Sequence, residues 1–289
     1  MSGDGPRVPL AAASPPGNSP STARRLRHLV RVRASEHPAI YLPFARRKYP
    51  GPSPEVISSE TELVIDGYTR SATTFAVYAF QLAQVRPVRI AHHLHAPAQL
   101  IAAARRGIPV LALIRDPQGA ILSQLVREPW VALRDALVAY TRFYSCLLPY
   151  RSSFVVGEFD QVTRDFGAVV RQLNRRFGTL FQEFQHTEAN VRECYALSRK
   201  RPTLSRTLLG FESGLVTRDE FNRERDRLER TPPQSPSTAD VWVPSPERER
   251  AKAVLLERWR QADLARLRDR AQAAYGEFLG LNGSGPGCP

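Results

Sequence analysis

One run decides the fold: Leu63-Val64-Ile65-Asp66-Gly67-Tyr68-Thr69-Arg70-Ser71-Ala72-Thr73-Thr74-Phe75. Residues 63–65 form a short apolar strand, Asp66-Gly67 ends it, and a helical pattern follows from 71 to about 83. A strand, a turn of small and polar residues and then a helix is the layout of a phosphate-binding loop. There, backbone N–H groups and the helix N-terminus together hold an anion. Two positions depart from the nucleotide-triphosphatase form: Ala72 stands where the second Gly belongs and Thr73 where the Lys belongs. The cation has moved forward to Arg70. Ser and Thr are also good N-caps, so the run alone reads equally well as a plain helix start.

Working outward, strand patterns at 88–93, 110–114 and 154–156 alternate with helical patterns at 97–106, 117–127, 130–148 and 166–177. That alternation predicts an α/β protein with a P-loop-type parallel sheet flanked by helices. A long amphipathic segment at 247–279, one helix or a pair, predicts a C-terminal helical layer. The expected organisation is a disordered tail at 1–22, a basic N-terminal arm at 23–60 and the core at 61–184. An excursion or linker at 185–246 supplies acceptor-side loops, and a C-terminal helix at 247–282 packs on the core. There is no internal repeat.

The composition, 42% hydrophobic and 24% charged over 289 residues, is that of a globular chain. No apolar run reaches the roughly 20 residues that span a bilayer, and residues 1–18 show no secretory pattern. Three separated cysteines, Cys146, Cys194 and Cys288, form neither a disulfide framework nor a metal pair. A cytoplasmic setting is expected. The net charge is +13. Residues 1–50 hold nine Lys/Arg against Asp4 and Glu36, so over half of the excess sits in the arm. A basic arm suits nucleic acid or an anionic membrane, on a body that only senses a nucleotide, but this arm lacks regularly interleaved aromatics, and nucleic acid is not the expected partner.

Two further motifs end strands. Arg115-Asp116-Pro117 leaves the strand at 110–114, and Ser123, eight residues on, lies about two helical turns away on the same edge. An Arg there is suited to clamp an oxyanion; paired with Asp116 it would be a surface ion pair. Asp116 could also imitate a magnesium ligand, but Arg115 beside it competes with a cation. His92, His93 and His95 cluster at the end of the strand at 88–93. His93 and His95 have a metal-like spacing but no carboxylate or Cys nearby in sequence, so a base or a structural role is expected and no metal. In a parallel sheet the loop at 67–74, His93 and Arg115 all emerge at the carboxyl edge, where ligands bind.

These residues together resemble the sulfotransferases that use 3′-phosphoadenosine 5′-phosphosulfate (PAPS). Residues 67–75 look like the family's 5′-phosphosulfate loop, and Arg115 with Ser123 looks like its 3′-phosphate site. His93 falls near the position of the catalytic His. The resemblance covers about residues 60–180. It implies PAPS as co-substrate without a metal, with His93 and Arg70 as catalytic residues. Arg70, Ser71, Ala72, Thr73, Thr74, Phe75, Arg115 and Ser123 would bind the cofactor, and a small-molecule or glycan hydroxyl or amine would be the acceptor. Phe75 stacks on adenine by position, or packs in the core. Thr69 replaces the family's usual Pro and Ala72 its usual Gly. The Arg-Lys-Gly run of cytosolic members is absent, leaving the Arg-rich stretch at 199–206 to complete the 3′-phosphate site. The alternatives are a P-loop small-molecule kinase, against which the missing Lys speaks, and a catalytically inactive nucleotide-binding module.

Overall fold

The computed structural model describes residues 22–49, 55–200, 206–229 and 246–281. The expected tail therefore lies outside the described residues except for Thr22. Four strands, β1 (Leu63–Gly67), β2 (Ile90–His92), β3 (Val110–Ile114) and β4 (Val155–Glu158), form one sheet in the order β2-β1-β3-β4. Every pairing is parallel, with Ile65 opposite His92 and Leu111, and Leu113 opposite Gly157. All residues of β1, β2 and β3 are buried, the mark of a sheet covered on both faces.

Successive strand side chains still alternate. Val64, Val110, Ala112 and Ile114 join one core, and Leu63, Ile65, Leu111 and Leu113 join the other. The first core is closed by α4 (Pro97–Arg105), α5 (Pro117–Arg127) and α6 (Leu133–Ser145). The second is closed by α3 (Thr73–Ala83) and, beyond a short α7 (Phe159–Arg164), by α8 (Phe166–Phe177). The sequence passes from β1 to β2 on one side and then back to β3 on the other. The gap between the carboxyl ends of β1 and β3 is thus the topological switch point of the sheet.

Several elements differ from the sequence expectation. The strand expected at 88–93 stops at His92, because His93 takes φ +58° and leaves the sheet. The helix expected from 71 begins at Thr73, because Ala72 takes φ +68°. The arm forms two helices, α1 (Thr22–Ala34) and α2 (Pro38–Lys48). Arg25 grips the buried carboxylate of Asp135 at 2.7 and 3.0 Å, and Arg142 grips Glu36 at 2.5 and 2.6 Å. In the stretch expected as excursion and linker, the helical pattern at 188–198 is present as α9 (Glu188–Lys200), and the described residues add α10 (Arg206–Glu212) and α11 (Arg218–Glu229), which the sequence did not suggest. Its buried apolar anchors, Cys194, Leu197, Phe211 and Phe221, are too widely spaced to show a period in sequence. The C-terminal layer is a pair, α12 (Pro246–Trp259) and α13 (Ala265–Leu279). Phe278 of α13 lies 5.0 Å from Tyr144 of α6, while α12 lies along α5.

Candidate anion-binding site

The loop between β1 and α3 is held from below by a buried carboxylate. Asp66, fully buried, accepts from the backbone N–H groups of Gly67, Leu94 and His95 at 2.9–3.1 Å and from Gln99 Nε2 at 3.4 Å. It therefore ties the end of β1 to the turn after β2. Three tyrosines brace the loop from the side. Tyr68 OH donates to Gln124 Oε1 at 2.6 Å, Tyr144 OH to Leu113 O at 2.9 Å and Tyr140 OH to Arg115 O at 2.5 Å. Burial pushes all three phenols above their usual pKa, so they remain donors.

Arg70 (φ +69°) and Ala72 occupy the left-handed region, curling the loop over the start of α3. Within that curl, Thr73 Oγ1 is buried and makes no hydrogen bond, and Ser71 Oγ is buried beside the Tyr144 hydroxyl. An orphaned hydroxyl at a helix N-terminus is costly unless an acceptor ligand takes it up.

The second feature centres on Ser123 of α5, which is 3% exposed. Its Oγ accepts from Arg70 Nε at 3.0 Å and from Arg248 Nη2 at 3.1 Å. Arg115 Nη1 reaches Arg70 O at 3.4 Å, and its guanidinium lies 3.9 Å over the Phe159 ring. Burial first, and then the charges of Arg248, Arg127 and Arg115, push the Arg70 guanidinium down to about 9. Burial also lowers Arg115 and Arg248. Asp116 is mainly a helix cap, accepting from Gly119 N at 2.6 Å, and stands 3.6 Å from Arg115 Nε. Gly119 makes room for this arrangement: a Cβ there would lie 2.7 Å from Arg115 Nε and 2.5 Å from Asp116 Oδ2.

The three histidines separate into distinct positions. His92 is fully buried. His95 Nδ1 donates to Gly67 O at 2.9 Å, 3.2 Å from Asp66 Oδ1, and acts as a brace. His93 Nε2 lies 2.9 Å from Thr74 Oγ1 on the first turn of α3, beside the loop. Behind it, His92 Nδ1 and His93 Nδ1 are 2.6 Å apart. Polar atoms of His92, His93 and Glu212 all fall within 4.8 Å of one another. Tyr78 OH donates to the buried Glu212 at 2.5 Å. At 2.6 Å the His92 and His93 Nδ1 atoms are within hydrogen-bond distance, one ring donating and the other accepting.

Arg70, Ser71, Ala72, Thr73, Thr74, His93, Arg115 and Ser123 thus gather at the switch point. Phe75 is turned away: it is 5% exposed, among Phe184, His186 and Tyr195 at ring distances of 5.6–6.3 Å. Arg248 and Glu212 escaped the sequence reading. Neither lies in a motif, and each meets its partner across more than 120 residues. From the stretch at 199–206, residues 201–205 lie outside the described residues; the described third cation is Arg248 of α12.

Among solved structures, the chain is similar to mouse sulfotransferase SULT7A1 complexed with PAP. The identity is 12%, the TM-score 0.34, and the match covers 75% of this chain and 91% of that one. A likeness of that size assigns no function. No family model matches the chain, and no curated protein matches it in sequence. Among the described residues, no helix is long and apolar enough to cross a membrane.

Proposed function

We propose that the protein transfers a sulfuryl group from PAPS to a hydroxyl or amine. The observation that carries this reading is Ser123 Oγ held between Arg70 and Arg248 with Arg115 adjoining. Clustered guanidiniums repel one another, and a phosphate in that corner offsets the repulsion. The orphaned Thr73 hydroxyl and the buried Ser71 hydroxyl beside it support a second anion end on the same loop, and Arg70 joins the two ends. An adenylate with a 3′-phosphate at Ser123 and a 5′-phosphosulfate at α3 carries charge at both places. Ring stacking on adenine is not assigned to Phe75.

In the transfer, the acceptor O–H gives its proton to His93 Nε2 as the acceptor oxygen bonds to sulfur. The bond from sulfur to the bridging oxygen breaks, and its electron pair leaves on the 5′-phosphate of 3′-phosphoadenosine 5′-phosphate (PAP). Arg70 and the loop N–H groups stabilise that charge. For Nε2 of His93 to accept, its proton must sit on Nδ1 and point to His92 Nδ1. His92 then accepts on Nδ1 and carries its own proton on Nε2, with the buried Glu212 carboxylate close to both imidazoles. On this reading His92 and Glu212 are positioning residues.

Thermal unfolding with ligands tests the proposal. PAP should raise the melting temperature and ATP with magnesium should not; the opposite ranking would favour a kinase. His93→Ala should keep the shift with PAP and lose about 10²–10⁴-fold in turnover of PAPS. Glu212→Gln should also keep the shift, while 15N spectra of the histidine rings show His93 losing its Nδ1–H form. An unchanged His93 tautomer removes Glu212 from the account.

A further inference from the structure

A second surface, unrelated to the anion site, lies on α1 and α2. α1 is packed on one side only: Val32 touches the core, His28 meets Trp130 and Arg25 holds Asp135, yet no residue of the helix is fully buried. Leu26 and Val30, one turn apart on α1, are 60% and 59% exposed; Ile40 and Phe44, one turn apart on α2, are 50% and 65% exposed. Val30 and Ile40 face a common open groove with Leu29, Ala34, Arg33 and His37. These are the only exposed large hydrophobics on the two helices, and they form two i, i+4 pairs, each with one member in that groove and the other one turn away along its helix.

The charge carried by the two helices is almost all of one sign. Residues 22–49 hold seven Arg and one Lys against a single acid, Glu36, which Arg142 already holds; Arg25 is taken by Asp135, which leaves six Arg and the Lys outside that pair. A second copy of the same face would set like charges against each other, and duplex nucleic acid offers nothing to bury the four apolar side chains. An anionic bilayer satisfies both features, since acyl chains take the apolar strip and headgroups take the arginines. We infer that α1 and α2 form a docking surface for an anionic lipid membrane, on which the helices lie in the interface without crossing it.

Vesicle flotation with the full chain tests this, comparing pure phosphatidylcholine with phosphatidylcholine containing phosphatidylserine. The expected result is binding to the mixed vesicles only, weakened by high salt. Leu26→Ser with Phe44→Ser should lower binding at least tenfold, and Arg27→Glu or Arg33→Glu should lower it about fivefold each. Each variant should melt as the parent does, because these side chains are exposed; a variant that melts early is replaced in the comparison by the charge reversals. Equal binding to both vesicles, or binding that survives the apolar substitutions, overturns the inference. So does a concentration-dependent dimer that Leu26→Ser with Phe44→Ser dissolves. Duplex DNA binding that only the charge reversals weaken, with vesicles ignored, overturns it as well.

Discussion

Ala72 and Arg70 show how single side chains carry opposed demands. The loop requires a left-handed residue at the start of α3, and an alanine occupies it. Ala in that region costs about 1–2 kcal/mol relative to the right-handed form, whereas Gly adds roughly 0.4–1 kcal/mol of unfolded-chain entropy. Ala72→Gly should therefore raise stability by about 0–1.6 kcal/mol, read from denaturant unfolding. Arg70 is kept in the site at the expense of stability. Arg70→Met should raise the stability of the unliganded protein by about 1–4 kcal/mol while abolishing PAP binding. Burial and the neighbouring arginines lower the Arg70 pKa, yet a guanidinium keeps its proton across the working pH range, so PAP affinity should show no loss from Arg70 between about pH 7 and 9 in calorimetric titrations.

At the scale of elements, the site depends on strand ends being tied together. Asp66 collects three backbone donors and one side-chain donor from both sides of the β1–β2 crossover. Asp66→Ala leaves those buried N–H groups unmet and should cost about 3 kcal/mol or more in unfolding experiments. What was legible in sequence follows the same logic. The strands and the helices flanking them were visible because their apolar runs are local and bounded by Gly, Pro and Asp. Arg115 and Ser123 were visible because both lie on one strand-to-helix connection. Tyr140 and Tyr144 read only as apolar helix positions, since nothing in their spacing tells that each hydroxyl reaches a strand carbonyl. Glu212 was hidden because its helix reaches the edge of β2 through tertiary packing. There Gly214, at φ +71°, brings its backbone against Val88, and a Cβ would lie 1.9 Å from Val88 O. Arg248 was hidden because an arginine in the run Glu247-Arg248-Glu249-Arg250 looks like any solvated helix face.

Over the whole molecule, the sheet order places the ends of β1 and β3 side by side, and α12 packs along α5 beside them. The central claim is that this edge of the sheet has two anion ends sharing Arg70, one at the first turn of α3 and one at Ser123. Titration calorimetry with PAP and with adenosine 5′-phosphate, on the parent and on Arg248→Ala, tests it most directly. The two ligands differ only in the 3′-phosphate. The account predicts that PAP binds the parent at least about tenfold more tightly, one charge-assisted contact's worth. Arg248→Ala should erase most of that advantage and leave adenosine 5′-phosphate nearly unaffected. Equal affinities for the two nucleotides in the parent, or an advantage untouched by Arg248→Ala, would contradict it.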